Sequence, residues 1–322
     1  MTSRARQRGV ALITAVLIVA LATILAVDVG FKGYLDQRRT ANTFALDQSF
    51  EVALGGEAWA ADVLRQDKIQ SPKQDDFTEA WATPIPPIPL EDIDGEFEGQ
   101  LEDLQGRFNL NDLVTYDGAG MGVANKPAVE RLARLLEVLE LEPKWATFIT
   151  DWIDGDNNAG FPDGAEDQVY TSLSPPYRTA NMPITRTSEL LALPEFGLER
   201  YRKLEPFITA LPAGTPINLC TASPELLDAI VEGRREFTLA RETMKQTRQQ
   251  RCFPNKEEFE QGLSPQQKEE LGQEKVIDET SDYFLATIWV TLGTHRFTLY
   301  SLLYRTDGTN QVRPILRSHG TL

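Results

Sequence analysis

The first strong pattern along the chain is an uncharged apolar run, Val10–Val27, which is followed by Asp28. As a helix, its eighteen residues would span roughly 27 Å, close to the thickness of a bilayer core. Arg4, Arg6 and Arg8 lie just before the run. Because basic flanks stay on the cytoplasmic side, the pattern predicts one membrane-spanning helix with the rest of the chain outside the cytoplasm.

The amphipathic pattern continues beyond the apolar run. No proline occurs from Phe31 to Leu64, and apolar residues return at helical spacing. These residues are Phe31, Leu35, Leu46, Phe50, Leu54, Ala58, Ala61 and Leu64. The pattern predicts one continuous helix over residues 10–65, about 80 Å long. A signal anchor followed by a separate surface helix remains the alternative.

Extended segments are predicted near both ends of the remaining chain. The pattern of Glu96–Leu110 is typical of a strand or a hairpin. Tyr283–Thr291 and Arg296–Tyr304 are rich in aromatic and β-branched residues and are joined by a short turn, which predicts a second hairpin. Thr83–Pro89 contains too many prolines for a central strand.

The chain between these strands is predicted to be mostly helical. Several helices would begin with proline in the first turn or with serine just before it, as at Ser223-Pro224 and Ser264-Pro265. The predicted helices are Pro127–Leu141, Pro143–Ile153, Thr187–Ala192, Leu198–Phe207, Pro224–Arg235 and Pro265–Gln273. The pattern therefore predicts an α+β protein in which strands of residues 66–110 and 281–322 bracket a large helical insertion, residues 111–280.

Charge and cysteine content narrow the possible functions. The formal net charge is −16 over 322 residues, so the surface repels phosphate backbones and nucleic-acid binding is not expected. Cys220 and Cys252 are the only cysteines. In a cytosolic protein they would be buried free thiols, whereas in an exported protein they would form one bridge, and the sequence leaves both open.

The most informative internal segment is acidic, Asp151–Asp167. It holds six carboxylates, and no Lys or Arg occurs between Lys144 and Arg178. The six residues are Asp151, Asp154, Asp156, Asp163, Glu166 and Asp167. Carboxylates this close repel one another unless a cation neutralises them, and Ca²⁺ takes about six to eight oxygen ligands from flexible loops. The segment therefore predicts a calcium site, with a solvated turn as the alternative.

The acidic segment begins like an EF-hand loop but does not continue as one. Asp154, Asp156 and Asn158 occupy loop positions one, three and five. Ala159 then stands where an EF-hand needs Gly, and Ala165 where it needs Glu, so a calcium loop of another geometry is expected. The predicted ligands of first rank are Asp154, Asp156, Glu166 and Asp167, and those of second rank are Asp151, Asn158 and Asp163.

Motifs of common enzyme classes are missing from the sequence. It contains no GxSxG, P-loop, HExxH or Rossmann glycine pattern. The only histidines, His295 and His319, do not accompany a CxxC pair, which disfavours zinc. The chain is therefore not expected to be an enzyme, and a structural role in an assembly is favoured.

The junction before the apolar run allows three kinds of processing. The basic leader ends at Gly9 and the apolar run begins at Val10, as in class III (prepilin) signals, which are cut before the helix. A conventional secretory signal would be cut after Ala20, Ala22 or Ala26, but no break in the helical pattern follows. An uncleaved signal anchor is the third possibility.

Together these features resemble the K-type minor pseudopilins of type II secretion systems, over nearly the whole chain. Pilin-like subunits carry Glu at the fifth residue after the cleaved Gly, whereas the fifth residue here is Thr14, a departure that marks the K type. The resemblance implies a pilin-like long N-terminal helix and antiparallel sheet with a large inserted helical domain. It also implies that the insertion binds Ca²⁺ and carries a SAM-like segment, Pro216–Leu227.

The resemblance has implications for location and partners as well. It implies that prepilin peptidase removes a leader of residues 1–9, and that residues 10–65 anchor a periplasmic body in the bacterial inner membrane. The implied position is the tip of the pseudopilus, beside I-, J- and H-type minor pseudopilins, where the subunit would help to initiate assembly and drive export of folded proteins. The alternative function is a signal-anchored periplasmic calcium-binding enzyme or accessory protein.

Overall fold

The computed structural model describes residues 4–91, 94–116, 122–306 and 311–320, with side chains from Val10 onward. The first three residues of the predicted leader, and short parts of the segments predicted over 66–110, 111–280 and 281–322, lie outside the described residues. The described chain combines one long N-terminal helix, an antiparallel sheet and many shorter helices. The predicted α+β fold class is confirmed.

Helix α1 (Arg4–Gln70) contains both the apolar run and the amphipathic stem. The prediction of one continuous helix is confirmed, although the helix ends at Gln70 and not at residue 65. Among the described residues, the apolar run is exposed along its length, and it is long and apolar enough to cross a membrane. Farther along, Ala53, Ala60 and Leu64 are buried against the sheet. The helix therefore has one half free of the body and one half packed in its core.

A five-stranded antiparallel sheet packs against the second half of α1. Its strands, in spatial order, are β1 (Ile85–Pro89), β2 (Gly95–Asp103), β9 (Tyr283–Leu292), β10 (His295–Thr306) and β11 (Gln311–His319). The predicted hairpin is confirmed as β9 and β10, with Leu292 opposite His295. Because β2 pairs with β9, the sheet brings together strands from the two ends of the body.

Both edge strands of the sheet contain proline. In β1 these are Pro86, Pro87 and Pro89, and an edge position tolerates them because one side of the strand needs no ladder hydrogen bonds. Strand β11 was not predicted. Pro314 lies in its middle, and the register with β10 shifts between Leu302 and Leu303, so the alternating pattern that marks a strand is interrupted.

The chain between β2 and β9 builds a second hydrophobic core. Its helices are α2 (Lys126–Val138), α3 (Trp145–Ile153), α4 (Asp167–Tyr170), α5 (Gly197–Leu204), α6 (Pro224–Ile230), α7 (Glu236–Leu239), α8 (Arg241–Arg248), α9 (Lys256–Glu260) and α10 (Pro265–Gln273). Its short strand pairs are β3 (Phe108–Asn109) with β6 (Ile208–Thr209), β4 (Val114–Tyr116) with β5 (Gly122–Ala124), and β7 (Ile217–Asn218) with β8 (Ile277–Asp278). We call residues 104–282 the inserted region.

Several helices in the inserted region differ from the prediction. The segment Thr187–Ala192, which was predicted to be helical, is a 3₁₀ helix. Helix α5 ends at Leu204 and is followed by a 3₁₀ turn over Glu205–Phe207, which contains a proline without an N–H group. Helix α6 ends at Ile230, well before the predicted Arg235, because Val231 adopts an extended conformation and a turn with Gly233 at a positive φ of 77° follows.

Cys220 and Cys252 form a disulfide bond. The bond joins the segment between β7 and α6 to the segment between α8 and α9, and both cysteines are buried. Of the two alternatives that the sequence leaves open, the structure contains the bridge.

Candidate metal centre

Helix α3 positions two of the acidic residues. Ile149 and Ile153 are buried in the core of the inserted region and fix the orientation of the helix. Asp151 lies in its last turn, and Asp154 is its C-cap residue, with an N–H that donates to the carbonyl of Thr150 at 2.9 Å. Both carboxylates are buried, at 2% and 5% exposure.

The carboxylate of Asp151 organises the loop that follows α3. Its Oδ2 accepts hydrogen bonds from the backbone N–H groups of Gly160 at 3.0 Å and Ala165 at 2.8 Å. The N–H of Gly164 also donates to the carbonyl of Gly160 at 2.6 Å, which tightens the turn. The loop is thereby folded back onto the end of α3.

Two glycines of this loop have no room for a side chain. A Cβ on Gly164 would lie 2.1 Å from the nitrogen of Gly160 and 2.3 Å from Oδ2 of Asp151. A Cβ on Gly160 would lie 2.5 Å from Cγ2 of Thr147. Neither glycine was predicted to be part of the site, and their recurrence inside the acidic segment is the signal that the sequence offers.

Glu166 brings a third buried carboxylate to the same place. It is the N-cap residue of α4 and is 3% exposed. Oxygen atoms of Asp151, Asp154 and Glu166 lie within 4.8 Å of one another. Both carboxylate oxygens of Glu166 and Oδ1 of Asp154 are buried without a hydrogen-bond partner among the described residues. Buried oxygens of this kind cost free energy, so the arrangement favours a bound cation.

The electrostatics of these three carboxylates support the same conclusion. Burial raises the pKa of Asp154 and of Glu166 to about 7, and repulsion from the neighbouring carboxylates adds to the rise. Burial also raises the pKa of Asp151 to about 6, although its two backbone hydrogen bonds oppose the shift. The cluster lacks positive charge and offers hard oxygen donors, which fits Ca²⁺.

Asp167, a predicted ligand of first rank, takes part in different contacts. Its Oδ1 accepts hydrogen bonds from the N–H and the hydroxyl of Thr179, at 3.2 and 3.1 Å. Its Oδ2 lies 3.4 Å from Nη1 of Arg178. The structure therefore groups Asp151, predicted at second rank, with Asp154 and Glu166, and pairs Asp167 with an arginine.

The remaining predicted ligands lie on the outer part of the loop. Asn158 and Asp163 are exposed, whereas Asp156 is half-buried and its Oδ1 accepts a hydrogen bond from the N–H of Asn158 at 2.6 Å. Asn181, which was not predicted, donates from Nδ2 to the carbonyl of Asp156 at 3.2 Å, and its own Oδ1 is buried without a partner among the described residues. It comes from beyond the acidic segment, so no local pattern could have indicated it.

The residues from which cleavage of the leader was predicted lie within α1. The Gly9–Val10 junction is inside the helix, which begins at Arg4. The hydroxyl of Thr14 donates to backbone carbonyls of the preceding turn, with Oγ1–O distances of 3.1 Å to Val10 and 2.9 Å to Ala11. Thr14 therefore brings no unpaired polar group to the apolar half of α1.

Known proteins are similar to this chain in sequence and in fold. The family described as type II secretion system (T2SS), protein K, matches residues 106–213. The type II secretion system protein K of Pseudomonas aeruginosa is 36% identical over 98% of this chain and 94% of its own length. The protein K of Aeromonas hydrophila is 32% identical over 95% of each chain, and that of Klebsiella pneumoniae is 31% identical over 94% of each.

A solved structure shows the same fold. It is the crystal structure of the GspK–GspI–GspJ complex from the enterotoxigenic Escherichia coli type 2 secretion system, and the match covers 88% of this chain and 100% of the other, with a TM-score of 0.73 and 23% identity. At that identity the likeness concerns the fold alone. The similarity to the protein K relatives, in contrast, extends over nearly the full length of both sequences. The chain therefore belongs to the type II secretion system protein K family, the K-type minor pseudopilins.

Proposed function

We propose that the chain is the calcium-binding subunit at the tip of a periplasmic pseudopilus, where it helps to initiate assembly and to drive export of folded proteins. The calcium part rests above all on the buried oxygens of Asp154 and Glu166 that have no hydrogen-bond partner in the part of the chain that the structure describes. The tip position is supported by Thr14 and by the size of the body. The proposed role is in assembly and not in catalysis, in keeping with the family to which the chain belongs.

Asp151, Asp154 and Glu166 would supply the anionic ligands of the ion. Their clustering gives Ca²⁺ a set of hard oxygen donors, and Asp156 is the nearest further candidate because its charge acts on all three. The ion would neutralise the cluster and hold the loop between α3 and α4. Calcium would thus complete the fold of one end of the inserted region.

Thr14 supports a terminal position in the filament. In pilin-like subunits the Glu at this position pairs with the terminal amine of a neighbour further out, because an unpaired charge in the bilayer costs about 3 kcal/mol. A subunit at the tip has no such neighbour, and Thr14 satisfies its hydroxyl within α1. The large body, residues 71–322, would crowd the side of a filament but has room at its end.

The I-, J- and H-type minor pseudopilins are the proposed partners, with contacts along α1 and the body. Phe31, Phe44 and Leu46 on α1 are between 54% and 70% exposed, which leaves an apolar surface beyond the membrane-spanning run. The solved structure of similar fold is itself a complex of three such subunits. The proposed location is the inner membrane with the body in the periplasm, an oxidising compartment in which the Cys220–Cys252 bond is stable.

Export from a strain that lacks this chain tests the proposed function. The full-length chain should restore secretion of a type II substrate protein, whereas a chain with both Asp154→Asn and Glu166→Gln should restore much less. Glu269→Gln, on the exposed side of α10, is the matched control and should behave as the unmutated chain. Undiminished export in the deletion strain would contradict the assembly role, and full export with the double variant would contradict the calcium part alone.

A further inference from the structure

A buried ionic cluster joins the end of α1, the sheet and the inserted region. At its centre lies Arg305 of β10, whose side chain is 1% exposed. Its Nη1 donates to Oδ2 of Asp67, in the last turn of α1, at 3.1 Å. Its Nη2 lies 2.5 and 2.6 Å from the two oxygens of Asp75, in the segment after α1, and also donates to the carbonyl of Ser281. Four parts of the chain therefore meet at one guanidinium group.

The cluster holds more carboxylates than Arg305 can neutralise. Oxygen atoms of Asp67, Asp75 and Glu79 lie within 4.8 Å of one another. Asp67 is 7% exposed and Asp75 is fully buried. Because Arg305 already donates to both aspartates, the cluster has its cation. Two of the three negative charges remain, and a proton most simply removes one of them.

Neutral hydrogen-bond donors connect this cluster to the inserted region. The side-chain amide of Asn218 donates to the carbonyl of Asp75 at 2.9 Å and to Oδ2 of Asp103 at 3.0 Å. Asp103 also accepts from the hydroxyls of Ser281 at 2.7 Å and Thr221 at 2.5 Å. The ionisable groups around the cluster are Asp67 on α1, Asp75, Asp76 and Glu79 after it, Asp103 on β2, Arg248 on α8 and Arg305 on β10.

We propose that Asp67 is held as a neutral carboxylic acid that donates a hydrogen bond to Asp75, which makes the cluster a proton-dependent clasp between the stem helix, the sheet and the inserted region. In this state the charge of Arg305 balances that of Asp75, while Glu79 accepts hydrogen bonds from the indole N–H of Trp81 at 2.8 Å and the N–H of Asp76 at 3.0 Å. The proton of Asp67 lies in the hydrogen bond from Asp67 to Asp75. Burial raises the pKa of Asp67 to about 7, the charges of Glu79 and Asp75 add to the rise, and Arg305 opposes it.

The clasp has a defined dependence on pH. Because the pKa of Asp67 is higher in the folded than in the unfolded chain, the folded chain binds the extra proton between about pH 4 and pH 7. The stability that Asp67 contributes is complete below that window and is lost as the pH rises through about 7. Above about pH 7, repulsion among Asp67, Asp75 and Glu79 weakens the attachment of the last turn of α1 to β10.

Thermal melting of the full-length chain in detergent micelles tests the clasp. Asp67→Asn keeps a hydrogen-bond donor at every pH, so its Tm should fall less between pH 5 and pH 8 than that of the unmutated chain. The expected difference is about 2–4 °C, with chelator present throughout. Asp62→Asn, an exposed aspartate paired with Arg65 on the same helix, should leave the fall unchanged. If Tm falls by the same amount between pH 5 and pH 8 in Asp67→Asn and in the unmutated chain, the proposal is overturned.

Hydrogen exchange of the unmutated chain gives a second test that needs no variant. Backbone amides of residues 64–79 should be more protected at pH 5 than at pH 8, after correction for the intrinsic effect of pH on exchange. Amides of α2, in the core of the inserted region, should show the same protection at both values and serve as the control. Equal protection of residues 64–79 at the two values would overturn the proposal even if Asp67→Asn failed to fold.

Discussion

A Cβ on Gly164 would lie 2.3 Å from Oδ2 of Asp151, the same oxygen that accepts the backbone hydrogen bonds of Gly160 and Ala165. Because Gly164 has no side chain, the carboxylate of Asp151 has room to accept these hydrogen bonds and so to organise the loop. Asp151 in turn lies beside Asp154 and Glu166. The conformation of the loop and the geometry of the proposed calcium ligands thus depend on each other.

Gly164→Ala is expected to reduce both stability and calcium affinity. The new methyl group must displace Asp151 or the backbone of Gly160, which should cost about 1–3 kcal/mol, as overpacking does elsewhere. Calorimetric calcium titration and thermal melting of the full-length chain measure the two effects. Gly272→Ala is the control, since a Cβ there meets nothing within 4 Å and alanine favours the helix. Unchanged calcium affinity in Gly164→Ala would contradict the link between loop and ligands.

Calcium should raise the melting temperature of the full-length chain. An ion that binds the folded chain and not the unfolded one adds roughly 2.7 kcal/mol at a hundredfold excess over its dissociation constant. Asp154→Asn and Glu166→Gln should each remove most of this gain, whereas Glu269→Gln on α10 should not. Melting curves that are identical with excess calcium and with chelator would rule out the site.

The gain from calcium should grow with pH. The pKa values of Asp154 and Glu166, about 7, are raised in the folded, metal-free chain, so protons compete with the ion at low pH. Without calcium, the stability that these groups contribute is complete below about pH 4 and is lost as the pH rises through about 7. With calcium, the carboxylates remain neutralised at high pH. The difference in Tm between calcium and chelator should therefore be larger at pH 8 than at pH 5.5, and an equal or smaller difference at pH 8 would contradict the prediction.

Loss of the disulfide bond should destabilise the inserted region. The bond joins residues 32 positions apart, Cys220 and Cys252, and closing such a loop contributes about 3–4 kcal/mol. Replacing both cysteines with serine should lower the melting temperature accordingly, as measured by calorimetry. The unreduced native chain should yield no thiol to an alkylating reagent. Two alkylated thiols, or an unchanged melting temperature in the double variant, would contradict the structural role.

Cleavage of the leader should depend on Gly9. Mass spectrometry of the mature chain should find Val10 at the N-terminus, and a bulky residue in place of Gly9 should leave the full precursor in the inner membrane. Replacement of Ser3, which is distant from the junction, should leave processing intact. A mature chain that begins at Met1 would favour the signal-anchored alternative, and a start after Ala20, Ala22 or Ala26 would contradict both functions in their present form.

The parts of the fold that could be predicted are those in which neighbouring residues decide the structure. The apolar run and the helical spacing after it were enough for α1, because a helix is formed by contacts over one turn. The β9–β10 hairpin followed from its two strands and short turn. Strand β11 could not be predicted, because Pro314 and a register shift interrupt its alternation and its pairing with β10 supplies the missing information.

In the candidate site, the sequence could locate the charge but not choose the ligands. Six acidic residues in one short segment predicted a cation site, with a solvated turn as the alternative. Asp151 and Asp167 both carry a carboxylate in this segment, so charge alone does not distinguish them as ligands. The structure distinguishes them, because Asp151 lies on the turn of α3 next to the loop, whereas Asp167 meets Arg178 and Thr179.

The sequence by itself determined an N-terminal helix long and apolar enough to cross a membrane, the α+β class, the acidic segment and the absence of common enzyme motifs, because each depends on residues close together in the chain. Only the tertiary structure decided which carboxylates converge, that Gly164 must be glycine, and that Arg305 meets Asp67 and Asp75. Arg305 is separated from these aspartates by 238 and 230 residues. Contacts over such distances arise when the sheet closes on α1, and no local pattern of residues records them.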